Sequence, residues 1–146
     1  MNEIEFRVAR LADVEGIFHV RTAVTENAMT MQQLEEMEIT YSSVAEMIAE
    51  ARCAWVAVDA QGIVGFSMII PEDGCVFAVF VLPAYEGKGI GKRLLKAAED
   101  ELFKEHEAIW LETEKATRAA EFYRRMGWRN EINVGDGDIY LEKHRF

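Results

Sequence analysis

The stretch Phe80-Val81-Leu82-Pro83-Ala84-Tyr85-Glu86-Gly87-Lys88-Gly89-Ile90-Gly91-Lys92-Arg93-Leu94-Leu95 narrows the folds open to this chain more than any other. An apolar, β-branched run enters it and an amphipathic run leaves it, so it reads as strand, glycine turn and helix start. Glycines at alternate positions let the backbone turn tightly with no Cβ in the way. The free N–H groups of the helix's first turn, together with the helix dipole, then form an anion site. Lys88, Lys92 and Arg93 add positive charge, and a diphosphate is the natural guest. Two other phosphate motifs are excluded. A P-loop needs glycine at position 86 and Ser or Thr at 93, where this chain has Glu86 and Arg93. A dinucleotide fingerprint begun at Gly87 meets Lys92 in place of its third glycine, and one begun at Gly89 meets Leu94.

Around this junction the apolar periodicity predicts an ordered set of elements. Residues 4–8 alternate as a strand, and Asp13 is placed to cap a helix carrying Val14, Ile17, Phe18 and Arg21. Residues 25–37 are helical in tendency, with Met29, Met31, Leu34 and Met37 on a loose apolar face. A further short helix is expected from Ser42 or Ser43, since Ser43 and Glu46 have capping-box spacing. Apolar runs at 53–58 and 63–70 form a hairpin about Asp59-Ala60-Gln61-Gly62, and a turn at Glu72-Asp73-Gly74 leads into a strand at 75–82. A helix at 90–104, a strand at 108–113 and a helix at 118–126 follow, with Gly127 as the stop signal of the last. Gly135-Asp136-Gly137-Asp138 then joins strands at 128–134 and 139–143. The expected fold class is α/β in the mixed α+β sense. It has three layers, with a central, mostly antiparallel mixed sheet of six to seven strands flanked by four to five helices.

Composition sets the remaining bounds. A chain of 146 residues, half of them apolar, suits one domain spanning residues 1–146. No apolar run approaches the ~20 residues that cross a bilayer, so no membrane association is expected. The start, Met1-Asn2-Glu3-Ile4-Glu5, lacks the basic-then-apolar order of a secretory signal, and a cytoplasmic location is the expectation. Cys53 and Cys75 lie in strand-like runs and match no zinc spacing; buried, reduced thiols and no metal are expected. The net charge of −10 argues against nucleic acid as a partner. That charge is unevenly spread. Residues 84–128 hold nine basic and nine acidic side chains, whereas between Arg21 and Arg52 there are six acids and no Lys or Arg. One part tolerates an anion, and the other attracts cations.

At the glycine turn the chain resembles the GCN5-related N-acetyltransferase family. That family's pyrophosphate loop reads Arg or Gln, two residues, Gly, one residue, then Gly or Ala; Gly89 and Gly91 fill the small positions, while Glu86 stands where Arg or Gln is usual. A second element lies downstream, in Ala116-Thr117-Arg118-Ala119-Ala120-Glu121-Phe122-Tyr123-Arg124-Arg125-Met126-Gly127-Trp128. Ala119, Phe122, Tyr123 and Gly127 match the family pattern; Trp128 replaces Phe, and Ala116 replaces an Asn that often touches the cofactor. The resemblance spans residues 4–144. It implies a splayed strand pair at the cofactor site and acetyl-CoA as co-substrate. The pantetheine arm would meet Phe80 and Val81, and the diphosphate would lie along Glu86, Gly87, Lys88, Gly89, Ile90, Gly91 and Lys92. Thr117 would take over part of the missing Asn contact. The segment after the first helix would wall the acceptor site, with Glu26, Asn27 and Met31 as substrate contacts and Glu35, Glu36 and Glu38 at its rim.

Moving an acetyl group from a thioester to an amine requires an amine that loses its proton, a stabilised carbonyl oxygen and a protonated leaving thiolate. Tyr123 is the candidate acid, because a phenol is protonated at neutral pH and the family's matching tyrosine points at the sulfur. The backbone N–H of Val81 is the candidate oxyanion donor. Glu112 is a candidate base, beside Glu26 and His19. Neither cysteine belongs to a nucleophile pattern, so direct attack is expected. The acceptor is expected to be a small primary amine, cationic or polar, and a homodimer is compatible with the sequence. Two alternatives remain at this point: an acetyltransferase acting on protein amino termini or lysines, and a non-catalytic acyl-CoA sensor.

Overall fold

The computed structural model describes residues 3–145. In chain order its elements are β1 (Glu5–Val8), α1 (Val14–Ala23), α2 (Met31–Glu36), α3 (Tyr41–Glu50), β2 (Ala54–Asp59), β3 (Gly62–Ile70), β4 (Cys75–Val81), α4 (Ile90–Leu102), β5 (Ala108–Glu114), α5 (Arg118–Arg125), β6 (Arg129–Gly135) and β7 (Asp138–His144). The strands form one seven-stranded sheet in the order β1-β2-β3-β4-β5-β7-β6. Every neighbouring pair is antiparallel except β4 and β5. The mixed, mostly antiparallel sheet and its flanking helices are those the sequence predicts. Among the described residues no helix is long and apolar enough to cross a membrane.

Alternation along β3 assigns the helices to opposite faces of the sheet. Phe66 and Met68 face Ile17 and Phe18 of α1. Ser67, between them, donates its hydroxyl to the Leu94 carbonyl of α4 at 2.9 Å. The amphipathic face of α4 buries Leu94, Leu95, Ala98 and Leu102 against the sheet. At the far end Trp128 and Leu141 complete the core, each 2% exposed or less.

Local chemistry moves several predicted boundaries. The helix expected over 25–37 starts only at Met31, because Asn27 adopts a positive φ of 57° and Thr30 forms a capping box with Gln33. In the next helix the cap is Thr40, with Ser43 as its reciprocal partner, rather than Ser42 or Ser43 paired with Glu46. Asp13 occupies the first position before α1, but its carboxylate caps nothing there. It accepts from Arg7 at 2.7 and 3.0 Å and from the Arg10 backbone N–H at 2.7 Å.

Two irregularities interrupt the pairing of β4. The β3–β4 register passes from Met68↔Ala78 to Ile69↔Val76, leaving Phe77 as an extra, outward residue of a bulge. On its other side β4 pairs with β5 at Cys75↔Trp110 alone, where the Trp110 backbone N–H donates to the Gly74 carbonyl at 3.0 Å. Beyond that point β5 follows β7 along its whole length, and β4 and β5 part.

Candidate active site between two parted strands

The parting of β4 and β5 opens a cleft of about 500 Å³. Its walls come from β4, the glycine turn, the start of α4, the outer end of β5, α5 and the segment after α1. Backbone register decides what β4 offers it. Leu82 N–H donates to the Val64 carbonyl, so Gly65 and Val81 form a non-hydrogen-bonded pair and Val81 turns its own N–H and C=O away from β3, into the gap. Val79, two residues earlier, does the same. Phe80 lies between them, and its backbone belongs to the β3 ladder opposite Phe66. It reaches the cleft by its side chain, which packs on Phe66 at 5.8 Å between ring centroids.

The glycine turn is tethered from outside. The Tyr85 hydroxyl donates to the Asp59 carboxylate in the β2–β3 turn, which lowers the pKa of Asp59 and raises that of Tyr85. Gly87 and Gly89 adopt φ of 77° and 81°, and a Cβ at either would meet open space. Gly91 lies inside α4 with an ordinary φ. A Cβ there would lie 3.8 Å from Phe122 Cζ and from Val81 Cγ2, a contact the protein itself tolerates. Glu86, Gly87, Gly89, Ile90, Gly91 and Lys92 all line the cleft. Lys88 is exposed and lies outside the lining, and Arg93 turns away to stack over the Phe6 ring at 3.9 Å.

On the opposite wall Tyr123 is 6% exposed and contacts Trp128 edge-on, with ring centroids 6.0 Å apart. Burial, with a smaller contribution from Cys75, pushes its phenol well above the usual range, so it is protonated at any physiological pH. Trp128 is itself held by Glu99, whose carboxylate accepts the indole N–H at 3.0 Å and Lys143 Nζ at 2.9 Å. That buried carboxylate is the reason an indole can stand where the motif usually has Phe. Cys53 and Cys75 are buried and unpaired, their thiols pushed up by burial to about 11 and about 12. Glu112 is on the exposed face of β5 opposite Tyr140 and lines the cleft.

Arg118, at the first turn of α5, gathers two carboxylates. Its guanidinium donates to Glu86 at 2.9 Å, and its backbone N–H donates to Glu26 at 3.0 Å. Glu26 is thus an acid at a helix N-terminus, bridging the segment after α1 to α5. Thr117 lines the cleft with its hydroxyl already engaged, accepting from Ala120 N–H at 3.1 Å and donating to the Glu114 carbonyl at 2.8 Å. Asn27 lines the cleft, whereas Met31 is exposed and does not line it. Glu35, Glu36 and Glu38 are likewise exposed and off the cavity walls.

A second, apolar cavity of about 220 Å³ lies between α1, α2, α3 and the sheet, sharing Asn27, Phe77, Ala78 and Phe80 with the cleft. Arg21 is its one charged lining residue. The role of Arg118 had no signal in the sequence. Arg21 had one, an arginine recurring with Ile17 and Phe18 on the apolar face of α1.

Comparison with known proteins places these features in a family. Residues 50–130 match the family model described as "Acetyltransferase (GNAT) domain". Among solved structures, the chain is similar to the PaiA N-acetyltransferase of Thermoplasma acidophilum in complex with coenzyme A. The TM-score is 0.78 at 19% identity, covering 97% of this chain and 99% of that one. It is similar also to a GNAT-family acetyltransferase of Staphylococcus aureus Mu50, with a TM-score of 0.76 at 18% identity over 97% and 99% of the two chains. A ribosomal-protein-alanine N-acetyltransferase of Brucella melitensis aligns with a TM-score of 0.72 at 19% identity over 96% and 99%. At these identities the structures establish a shared fold. No curated protein matches the chain.

Proposed function

The chain belongs to the GNAT acetyltransferase family, and from that premise we propose that it is a single-domain enzyme over residues 1–146 that transfers acetyl from acetyl-CoA to the primary amine of a small polar acceptor. The carrying observation is the opening between β4 and β5. It exposes the Val81 N–H to a cleft that ends, on one side, at the glycine turn and faces, on the other, the protonated phenol of Tyr123.

Each part has a physical task. The amide-lined turn from Gly87 to Gly91 and the α4 N-terminus hold the diphosphate. The backbone groups of Val79 and Val81 bond the pantetheine arm as an added strand would. The amine nitrogen then attacks the thioester carbonyl carbon. A C–N bond forms as the C–S bond breaks, and the carbonyl oxygen gains charge in front of the Val81 N–H. The nitrogen's excess proton leaves through the cleft, where Glu112 is the candidate carboxylate of the lining. Tyr123 supplies the proton that the departing sulfur needs. Both thiols stay protonated, in keeping with direct attack and no acyl-cysteine.

Amine-dependent release of free CoA, measured together with the N-acetylated product, tests this reading. Stoichiometric appearance of both supports it. CoA binding with no turnover of any amine across a broad panel contradicts it and leaves a binding protein.

A further inference from the structure

Arg21 stands out among the charged groups because it is partly buried and, among the described residues, no carboxylate pairs with it, whereas the other unpaired Lys and Arg side chains are exposed. Its guanidinium lies 4.2 Å from the centroid of the Phe80 ring, partly buried against the apolar cavity. One nitrogen donates to the Asn27 carbonyl at 3.0 Å. No carboxylate of the described residues forms an ion pair with it, and the six acids that follow it in sequence leave it alone. Glu26 is held by the Arg118 backbone N–H, and Glu35, Glu36, Glu38, Glu46 and Glu50 are exposed to solvent. A guanidinium carries five N–H donors, so most of its hydrogen-bonding capacity is uncommitted. Desolvating a cation without an anion is unfavourable, and a planar fork with open donors is the geometry that takes a carboxylate by two bonds.

We propose that Arg21 is the specificity-determining contact for the acceptor, and that the acceptor is an amine bearing a carboxylate and an apolar side chain. This rests on the acetyl-transfer reading above. The cavity's dimensions and walls give the body of the molecule. About 220 Å³ lined by Ile17, Phe18, Leu34, Val44 and Phe66, with methionines Met29 and Met68 able to adjust, suits a branched, thioether or aromatic group. The shared wall gives its orientation. Phe80 carries the guanidinium on its ring and also lines the cleft, so a molecule anchored by its carboxylate at Arg21 can direct its amine across β4 to the thioester. A polyamine, cationic at both ends and without apolar bulk, fits this cavity poorly.

The test compares matched pairs: L-leucine, L-methionine and L-phenylalanine against their carboxamides. Both members of each pair carry the same amine and side chain, so only the carboxylate differs. The wild-type enzyme should favour the acids by 10-fold or more in kcat/KM. Arg21→Gln should abolish that preference by raising KM for the acids about 10- to 100-fold, the range for a charge-assisted hydrogen-bonded contact, while the carboxamides change little. Arg21→Lys keeps the charge without the fork and should restore part of the preference, a pattern that mere loss of packing on Phe80 would not produce. Binding of the N-acetyl acids and N-acetyl amides in the presence of CoA, read by calorimetry, gives the same comparison without turnover. Equal use of acids and carboxamides overturns the proposal while leaving acetyl transfer intact. So does a panel in which neither the acids nor their N-acetyl products are turned over or bound.

Discussion

The carboxylate of Glu86 accepts a hydrogen bond from the guanidinium of Arg118 at 2.9 Å. Glu86 is the position at which the glycine turn departs from its family's usual Arg or Gln, and an uncompensated acid there would repel a diphosphate. Arg118 removes that repulsion from across the cleft. The pair is exposed, so it adds little to stability, but it sets the local potential at the turn where we propose the diphosphate docks.

Arg118→Ala should therefore weaken CoA binding. Glu86→Gln should leave it equal or tighter, and the double variant should recover most of what Arg118→Ala loses. Titration calorimetry at low salt reads all three, and the differences should shrink as salt rises, since exposed charges are screened within about 10 Å at 0.1 M. Loss in Glu86→Gln equal to that in Arg118→Ala would show that the acid contributes directly to binding.

The glycines of the turn separate into two kinds. Gly89→Val forces a β-branched residue to a φ of 81°, at a cost of roughly 1–3 kcal/mol, so loss of binding there mixes strain with obstruction. Gly91→Ala is cleaner. Its Cβ enters the cleft at ordinary distances from Phe122 and Val81, and replacing a glycine in the first turn of α4 should raise stability by up to about 1 kcal/mol, the value for a helix interior. The expected outcome is a protein that melts higher and binds CoA more weakly. Unchanged CoA affinity in a stabilised Gly91→Ala variant would place the diphosphate elsewhere.

The ion pair of Arg7 with Asp13 fixes β1 to the start of α1, and its pH dependence has a definite sign. The Arg7 hydrogen bonds hold the Asp13 carboxyl below its ordinary value near 3.8. A depressed carboxylate contributes stability that is fully present above the unfolded value and is lost as pH falls through the lower, folded one. Asp13→Asn should cost about 1–2 kcal/mol at pH 7, in the range of hydrogen bonds to charged groups. Denaturant titrations should show that difference narrowing below about pH 4, near the ordinary Asp value. A constant difference from pH 7 to pH 3 would assign the effect to packing.

Features encoded within a few residues were legible in the sequence. The strand–glycine–helix junction, the two hairpin turns and the amphipathic face of α4 each follow from spacing alone, and the motif around Tyr123 put that residue in the same cleft as Gly91. Helix starts were less legible: Thr40 took the capping role in competition with Ser42 and Ser43, and α2 waits for its Thr30 cap because Asn27 turns the chain at a positive φ. The contacts that set the site's charge were not legible. Glu86 meets Arg118 from 32 residues away and Glu26 reaches its backbone from 92, and nothing local in any of the three specifies the pairing. The solvent-facing placement of Glu35, Glu36 and Glu38 was hidden for the same reason: a run of acids in sequence does not say which cavity, if any, it borders.

Tyr123→Phe offers the most direct test of how the cleft works. Removing one hydroxyl from a ring that packs against Trp128 leaves the wall of the cleft in place, so the affinity for CoA should stay near that of the wild type. Under single-turnover conditions, with acetyl-CoA bound and amine saturating, the rate of acetyl transfer should fall by roughly 10²–10⁴-fold, the usual worth of a positioned general acid. An unchanged single-turnover rate would contradict the assignment and remove Tyr123 from the chemistry.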